Sequence, residues 1–339
     1  MLHKPDFGNT SPPAWVEFDA MKVLVTGASG FVGSALVRHF LSQSWQVTAL
    51  VRQASSTPAM PGLQHHAIFG IERLGNVAVA LQGQDVVVHC AARVHVMNDK
   101  SGDPLAAFRA VNVQGTLSLA RLAAANGVQR FVFISSVGVN GSQTIRQAFT
   151  AEDEVAPHSP YAVSKSEAEI GLRAIARSTG MAVVIVRPPL VYGPSAPGNF
   201  GRLVRWLQRG MPLPFGAIHN QRSLLAVDNL VDLIASCMTH VAAVNQTFLV
   251  SDGEDISTTE LLRRLSALMG RQARLLPMPV KWLELVASIS GKTDLAQSLC
   301  GSLQIDLSKT RRLLDWSPPL TLDQGLKKAV TGRACETNF

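Results

Sequence analysis

Long apolar runs are missing from this chain. Runs such as AVVIV at 182–186 and VVV at 86–88 stop far short of the ~20 residues that span a bilayer, so no membrane partner is expected. The first twenty residues, MLHKPDFGNTSPPAWVEFDA, contain prolines and scattered charges but no apolar stretch of the export type. The expected location is the cytoplasm. Cysteine is scarce as well: Cys90, Cys237, Cys300 and Cys335 lie far apart and form no C-x-x-C pair. That excludes a disulfide framework and a zinc site, and no metal is expected. Clustered positive charge is the third absence. The net charge is +7, yet the basic residues are dispersed along stretches such as RLVRWLQRG and LLRRLSALMGRQAR, which read as solvated helix faces rather than a nucleic-acid surface. A positive balance also suits a small anionic substrate carrying phosphates.

What is present is enough for a sizeable core. The 339 residues, 47% of them hydrophobic, allow one large α/β unit or a main domain with a smaller partner. Residues 1–20 read as a loose extension, with the fold expected to begin at Met21. Short β-branched runs at 22–26, 46–51, 86–89, 130–134 and 182–187 read as buried strands, and 31–43, 104–126 and 160–178 read as helices between them. This alternation predicts βαβ units in an α/β, Rossmann-type, doubly wound parallel sheet with helices on both faces. After RPPLVYGP at 187–194 the rhythm loosens, with helices expected near 200–209, 228–240, 258–269 and 308–315. The organisation predicted is a dinucleotide-binding domain over 21–187, to which later segments return. A smaller, mainly substrate-binding C-terminal α/β region over 188–330 and a tail at 331–339 complete it.

The first strand, KVLVT, runs directly into GASGFVG. Gly27, Gly30 and Gly33 therefore fall where a strand turns into a helix. There they let the backbone approach a pyrophosphate while the helix N-terminus supplies amide donors. The spacing is G-x-x-G-x-x-G, one residue longer than the G-x-G-x-x-G fingerprint. The second strand ends in Val51 and Arg52. A carboxylate at that point would bind the ribose 2′-hydroxyl of NAD, whereas an arginine pairs with the extra phosphate of NADP. NADP(H) is favoured on that ground, with NAD(H) the alternative and a plain surface arginine the simplest account of Arg52.

In SPYAVSKSEAE, Tyr161 and Lys165 are four residues apart and share one helix face, with Ser159 a candidate N-cap and Pro160 suited to the first turn. A phenol of pKa ~10 handles protons poorly at neutral pH unless a nearby cation favours its ionised form, and Lys165 supplies one. Upstream, RFVFISS ends in Ser135 and Ser136 at the carboxyl edge of the sheet, where open α/β folds place their ligands. Either hydroxyl can hold a substrate oxygen against the tyrosine. Taken alone, Y-x-x-x-K is common by chance.

Together with the glycine loop it carries a resemblance. GASGFVG, HCAA at 89–92, VNVQGT at 111–116, ISS, YAVSK, RPPLVYGP, RSLLAVDN at 222–229 and DLSKTRRLLDWSP at 306–318 resemble, in order and spacing, the extended short-chain dehydrogenase/reductases. Within that group the nucleotide-sugar epimerases, dehydratases and reductases are the nearest in pattern, and the likeness covers about residues 21 to 330. It implies that Tyr161 is the acid/base, Lys165 its pKa-lowering partner and a ribose ligand, and Ser136 the hydroxyl that orients the sugar oxygen. The family's active-site asparagine falls on Asn112. Phe31 and Val32 are implied to cover the pyrophosphate, and Cys90, Ala91, Ala92 and Pro188 to line the cofactor path. Asn199 and Arg222 match positions that contact the nucleoside diphosphate of the sugar. A homodimer is implied, built from helices 104–126 and 160–178.

The shared step is hydride transfer between nicotinamide and a sugar carbon, usually C4, while the tyrosine moves the proton of its oxygen. Dehydratases of the family carry an acidic pair just after the active-site hydroxyl; here the stretch is SSVGVNG, without Asp or Glu. Two further departures loosen the match to UDP-galactose epimerases: Leu190 stands where asparagine is common, and FGIER at 69–73 replaces an acidic turn. The leading expectation is a reductase of a UDP-4-keto-(6-deoxy)-hexosamine in polysaccharide precursor synthesis, similar to the quinovosamine-type branch. The alternatives are a UDP-sugar 4-epimerase, a reductase of steroid or flavonoid ketones, and a non-enzymatic dinucleotide sensor. Sensors typically lose the tyrosine and lysine, and this chain has both.

Overall fold

The computed structural model describes residues 21–52, 60–94, 103–289 and 293–332. The expected extension 1–20 and the tail from 333 onward lie outside the described residues. The strands are β1 (Lys22–Thr26), β2 (Gln46–Val51), β3 (Leu63–Ala67), β4 (Val86–His89), β5 (Arg130–Ile134), β6 (Ala182–Arg187), β7 (Leu190–Tyr192), β8 (Arg222–Ala226), β9 (Thr247–Leu249) and β10 (Asp255–Ile256). The α-helices are α1 (Phe31–Ser42), α2 (Val77–Leu81), α3 (Pro104–Arg109), α4 (Thr116–Ala125), α5 (Pro160–Thr179), α6 (Gly198–Gln208), α7 (Val227–Thr239), α8 (Thr258–Leu268), α9 (Val280–Ile289), α10 (Thr293–Cys300), α11 (Ser308–Leu314) and α12 (Leu322–Thr331).

Seven strands form the main sheet in the order β3-β2-β1-β4-β5-β6-β9, every pairing parallel. The five strands expected from the sequence have the bounds read for them. They are continuous Val, Ile and Phe runs because both faces of a parallel sheet are covered by helices. One face packs against α1 and α7 through Val23, Val25, Leu36, Phe40, Leu230 and Ile234; the other packs against α4 and α5 through Leu24, Val87, Phe131, Leu119 and Leu172. The chain moves outward from β1 through β2 to β3, then crosses back to β4 on the other side. The reversal opens a crevice between the carboxyl ends of β1 and β4.

Residues after 187 build a small sheet, β10-β8-β7, with its own core around Tyr192, Phe200, Leu224, Leu262 and Leu326. They also return to the main sheet, where β9 pairs with β6 and α7 packs on α1. One expected element differs: 104–126 is not a single α-helix. A π-helical segment, Ala110–Gly115, separates α3 from α4. Such wider turns are often found at functional sites. Here Gly115 lies so close to β3's following loop that an added Cβ would sit 2.7 Å from the Ile71 carbonyl oxygen.

Candidate active site

Because the main sheet is parallel, the loops leaving β1, β4 and β5 meet at one edge. At β1 the chain turns through Gly27, whose φ of +64° lies in the left-handed region and whose Cβ, if present, would lie 2.8 Å from the Ala91 amide nitrogen. Gly33 is inside the first turn of α1, where a Cβ would lie 2.1 Å from the Gly27 carbonyl oxygen. Gly30 caps α1 and donates its N–H to that same oxygen at 2.9 Å. The helix start has no side-chain cap and no acid in its first turn. Its amide donors and positive dipole end therefore face outward for an anion. Phe31 and Val32 follow, half-buried, with Phe31 packed against both the main core and the core around the small sheet, which forms a cap. A cradle that any Cβ would fill fits the pyrophosphate of a dinucleotide.

Cys90, Ala91 and Ala92 run out from β4 beside this loop, half-buried. Ala91 donates its N–H to Thr26 Oγ1 at 3.1 Å, Thr26 Oγ1 pairs with His89 Nδ1 at 2.7 Å, and His89 Nε2 pairs with Thr116 Oγ1 at 2.9 Å. Burial, reinforced by the Lys165 charge, pushes His89 down to about 3. The neutral ring therefore ties the ends of β1 and β4 together. Nothing in HCAA as a string assigns His89 this task, since its threonine partners are neighbours only in space. Burial also pushes the Cys90 thiol up to about 12, against the opposing Lys165 charge, so it is a packing group rather than a nucleophile. Arg52 is exposed at the end of β2.

Helix α5 carries Tyr161 and Lys165. Ser159 accepts a hydrogen bond from the Ala162 N–H at 3.1 Å and Pro160 occupies the first turn, so the helix begins where the sequence predicts. Lys165 is 2% exposed; its Nζ donates to the Ile134 carbonyl at 2.8 Å and lies 4.4 Å from the Phe133 ring centre and 5.9 Å from that of Tyr161. Burial lowers Lys165 to about 8, partly offset by Cys90 and Glu169. Tyr161 packs edge-on against Phe108 at 6.1 Å. Its phenol is pushed up to about 12 by burial, the opposite direction from the sequence expectation. The cause is desolvation by burial, and the Lys165 ammonium directs a proton at the Ile134 carbonyl.

Of the two serines ending β5, Ser135 is buried and donates to Glu169 Oε1 at 2.6 Å. Ser136 is half-buried and accepts from the Gly138 N–H at 3.1 Å at the start of the turn Val137–Val139. The interior takes one hydroxyl and leaves Ser136 at the sheet edge. Asn112, on the π segment, accepts from the Arg93 N–H at 2.8 Å and donates to the Arg93 carbonyl and to Ser164 Oγ, both at 3.0 Å. Ser164 in turn donates to the Tyr161 carbonyl at 2.7 Å. Asn112 thus links the segment following β4 to the first turn of α5. Buried Pro188 accepts from the Val137 N–H at 3.0 Å, fastening the Ser136 turn to the end of β6.

Asn199 and Arg222 line one cavity of about 70 Å³ in the cap, together with Leu190, Thr258 and Ser298. Arg222 donates to the Gly301 carbonyl at 2.9 Å, and burial lowers its pKa. This cavity's lining includes none of Tyr161, Lys165 or Ser136. Ser298 comes from α10, an eight-residue helix that the sequence analysis did not anticipate, and belongs to no motif that would single it out. No group of three or more His, Cys, Asp or Glu side chains able to hold a metal occurs among the described residues, and no described helix is long and apolar enough to cross a membrane.

The profile of the NAD dependent epimerase/dehydratase family matches residues 23–251. A UDP-glucose 4-epimerase of Vibrio cholerae is 45% identical over 311 residues, 91% of this chain and 94% of the relative. A dTDP-glucose 4,6-dehydratase of Streptomyces griseus is 30% identical over 325 residues, 91% and 92% of the two chains. The fold is similar to that of UDP-glucuronic acid 4-epimerase from Bacillus cereus in complex with NAD, with a TM-score of 0.74 and 23% identity over 91% of this chain and 97% of that one. With its strand-to-helix glycine turn and the Tyr161–Lys165 pair at the same sheet edge, the chain belongs to the NAD dependent epimerase/dehydratase family, a branch of the extended short-chain dehydrogenase/reductases.

Proposed function

We infer that this protein is an oxidoreductase acting at C4 of a UDP-hexose, working in the direction of reduction on a UDP-4-keto-(6-deoxy)-hexosamine. The observation that carries the direction is the end of β2, where exposed Arg52 stands in place of a carboxylate. An arginine there pairs with the 2′-phosphate of NADP(H), a cofactor that exchanges between turnovers as a net reductase requires. The bound nicotinamide supplies the hydride.

The chain's own residues then have separable tasks. Gly27, Gly30 and Gly33 admit the pyrophosphate against the α1 amides, with Phe31 and Val32 over it and Cys90, Ala91, Ala92 and Pro188 along its path. Ser136 donates to the C4 oxygen of the sugar. Tyr161, which burial keeps protonated up to about pH 12, delivers the proton to that oxygen as the carbonyl is reduced. Lys165 holds the cofactor ribose and stabilises the phenolate left behind. Asn112 ties α5 to the segment around Arg93, while Asn199 and Arg222 hold the nucleoside diphosphate. A homodimer formed through α3–α4 and α5 is part of this reading.

Dehydration is disfavoured because SSVGVNG offers no acid–base pair after Ser136. A second reading, UDP-hexose 4-epimerisation, is favoured by the 45% identical Vibrio cholerae relative. Incubation with UDP-4-keto-6-deoxy-N-acetylglucosamine and NADPH separates them. Consumption of NADPH supports the reductase, whereas interconversion of UDP-glucose and UDP-galactose without added cofactor, with no NADPH consumption, overturns it in favour of the epimerase.

A further inference from the structure

We propose that segment 301–306 is a positioning element for the hydride-transfer step, setting the separation between Arg222 in the cap and the Ser136 hydroxyl at the sheet edge. The inference rests on the reading that Arg222 holds the nucleoside diphosphate while Ser136 and Tyr161 handle the sugar oxygen. In GSLQID, buried Leu303 and Ile305 alternate with polar Ser302, Gln304 and Asp306, the two-residue period of an extended chain. One side of this stretch is bonded to the strand that carries Arg222. β7 pairs with β8 only over residues 224–226, and Leu303 continues that edge opposite Arg222. Its N–H donates to the Gln221 carbonyl and its carbonyl accepts from the Ser223 N–H, both at 2.8 Å. The Arg222 guanidinium itself donates to the Gly301 carbonyl at 2.9 Å. Asp255 clamps the two chains together, accepting from Ser223 Oγ at 2.5 Å and from Gln304 Nε2 at 2.8 Å.

The other side is bonded to the loop that joins Ser136 to Tyr161. Thr144 donates its N–H to the Ser302 carbonyl at 2.8 Å, and its Oγ1 accepts from the Gln304 N–H at 3.1 Å. Phe149 donates to the Gln304 carbonyl at 2.8 Å and accepts from the Asp306 N–H at 2.9 Å. Leu303, Ile305 and Phe149 share one small apolar core with Val137, the residue after Ser136. Leu303 therefore serves both ends: its backbone brackets Arg222, and its side chain belongs to the core beside the Ser136 turn. A diphosphate held at Arg222 presents the sugar at a distance that this segment sets. Displacing a reacting group by about 1 Å costs about 10²-fold in rate.

Leu303→Ala and Leu303→Met test this through two readouts. One is UDP affinity by calorimetry; the other is kcat for whichever reaction the parent performs, NADPH-dependent reduction of the 4-keto sugar or interconversion of UDP-glucose and UDP-galactose. Leu303→Ala leaves a hole in the core shared with Val137 but keeps the Gly301 carbonyl for Arg222. Its kcat is expected to fall at least tenfold while its UDP Kd changes less than about twofold, and Leu303→Met, of similar volume, should restore most of the rate. A merely structural residue would lower the thermal transition without separating kcat from UDP affinity. Thr144→Val removes the acceptor for the Gln304 N–H without opening the core, should move kcat in the same direction, and decides the question if Leu303→Ala does not fold. Unchanged kcat in the folded variants, or a loss of UDP affinity that matches the loss of rate, overturns the positioning role and leaves the functional reading standing. A parent that does not bind UDP, or performs neither reaction, contradicts that reading and removes the inference with it.

Discussion

Arg187 donates to Glu169 twice, from Nε to Oε1 at 2.9 Å and from the terminal nitrogen to Oε2 at 2.6 Å, and neither side chain is more than 2% exposed. Glu169 lies one helical turn beyond Lys165 on α5, while Arg187 ends β6. The same carboxylate accepts from Ser135 at the end of β5 and from Arg173. Arg187 completes the set by donating to Asn140 Oδ1 at 3.0 Å. This pair therefore locks the register of the helix carrying Tyr161 and Lys165 against the strands that carry Ser136 and Pro188.

Removing one partner of such a buried pair strands the other, which costs about 3–5 kcal/mol. Glu169→Gln should lower the thermal midpoint by at least several degrees. It also removes a negative charge that raises Lys165, so the alkaline limb of the rate should move to lower pH. A purely structural role for Glu169 would leave that limb in place. The comparison is a pH–rate profile of parent and variant at a temperature where both are folded.

Tyr161→Phe deletes the hydroxyl while keeping the ring packed on Phe108. General acid–base catalysis is worth about 10²–10⁴ in rate, and a loss of that size is expected, with cofactor affinity changed less than about twofold because the pyrophosphate contacts are untouched. Stopped-flow turnover and cofactor titration measure the two quantities separately. A variant that retained most of its rate would remove Tyr161 from the chemistry.

Five strands of the central sheet were legible because each is a short β-branched run buried on both faces, and the glycine loop because its residues are contiguous, whereas β9, only three residues long, shows no pattern of its own. Strand β3 was not legible either: its residues LQHHA are half exposed on an edge and show neither alternation nor an apolar run. The break in 104–126 was hidden too, since Ala110–Gly115 has ordinary helix composition and the π turn follows from tertiary contacts of Asn112 and Gly115. At the sheet edge, the residues read from local motifs, the glycine loop with Tyr161 and Lys165, lie close in the fold. Residues defined by partners far along the chain, His89 between Thr26 and Thr116 and Glu169 on Arg187, were not legible.

Gly33→Ala places a methyl carbon 2.1 Å from the Gly27 carbonyl oxygen, a backbone atom with no rotamer to escape into. Helix α1 must shift away from the loop. Overpacking of this kind costs about 1–3 kcal/mol, and the displaced amides should weaken dinucleotide binding tenfold or more. Titration with reduced cofactor followed by nicotinamide fluorescence reads the affinity. Unchanged binding would show that the loop does not carry the pyrophosphate.

Lys165 predicts a signature in stability as well as in rate. Its folded pKa is about 8 against an ordinary 10.5, so between those values the unfolded chain binds more protons than the native one, and stability must rise with pH across that window. The full effect is on the order of 3 kcal/mol. Tyr161, raised from 10.0 to about 12, acts with the opposite sign but only above pH 10. Lys165→Met removes the rising slope, even though it also strips the Ile134 carbonyl of its donor and so loses a buried hydrogen bond. Urea denaturation of parent and variant from pH 8 to 10 should thus give converging curves, with the parent gaining on the variant as pH increases. Over the same interval the parent's activity should fall as the ammonium beside Tyr161 is lost. Parallel stability curves would mean that the lysine is not held in a desolvated site.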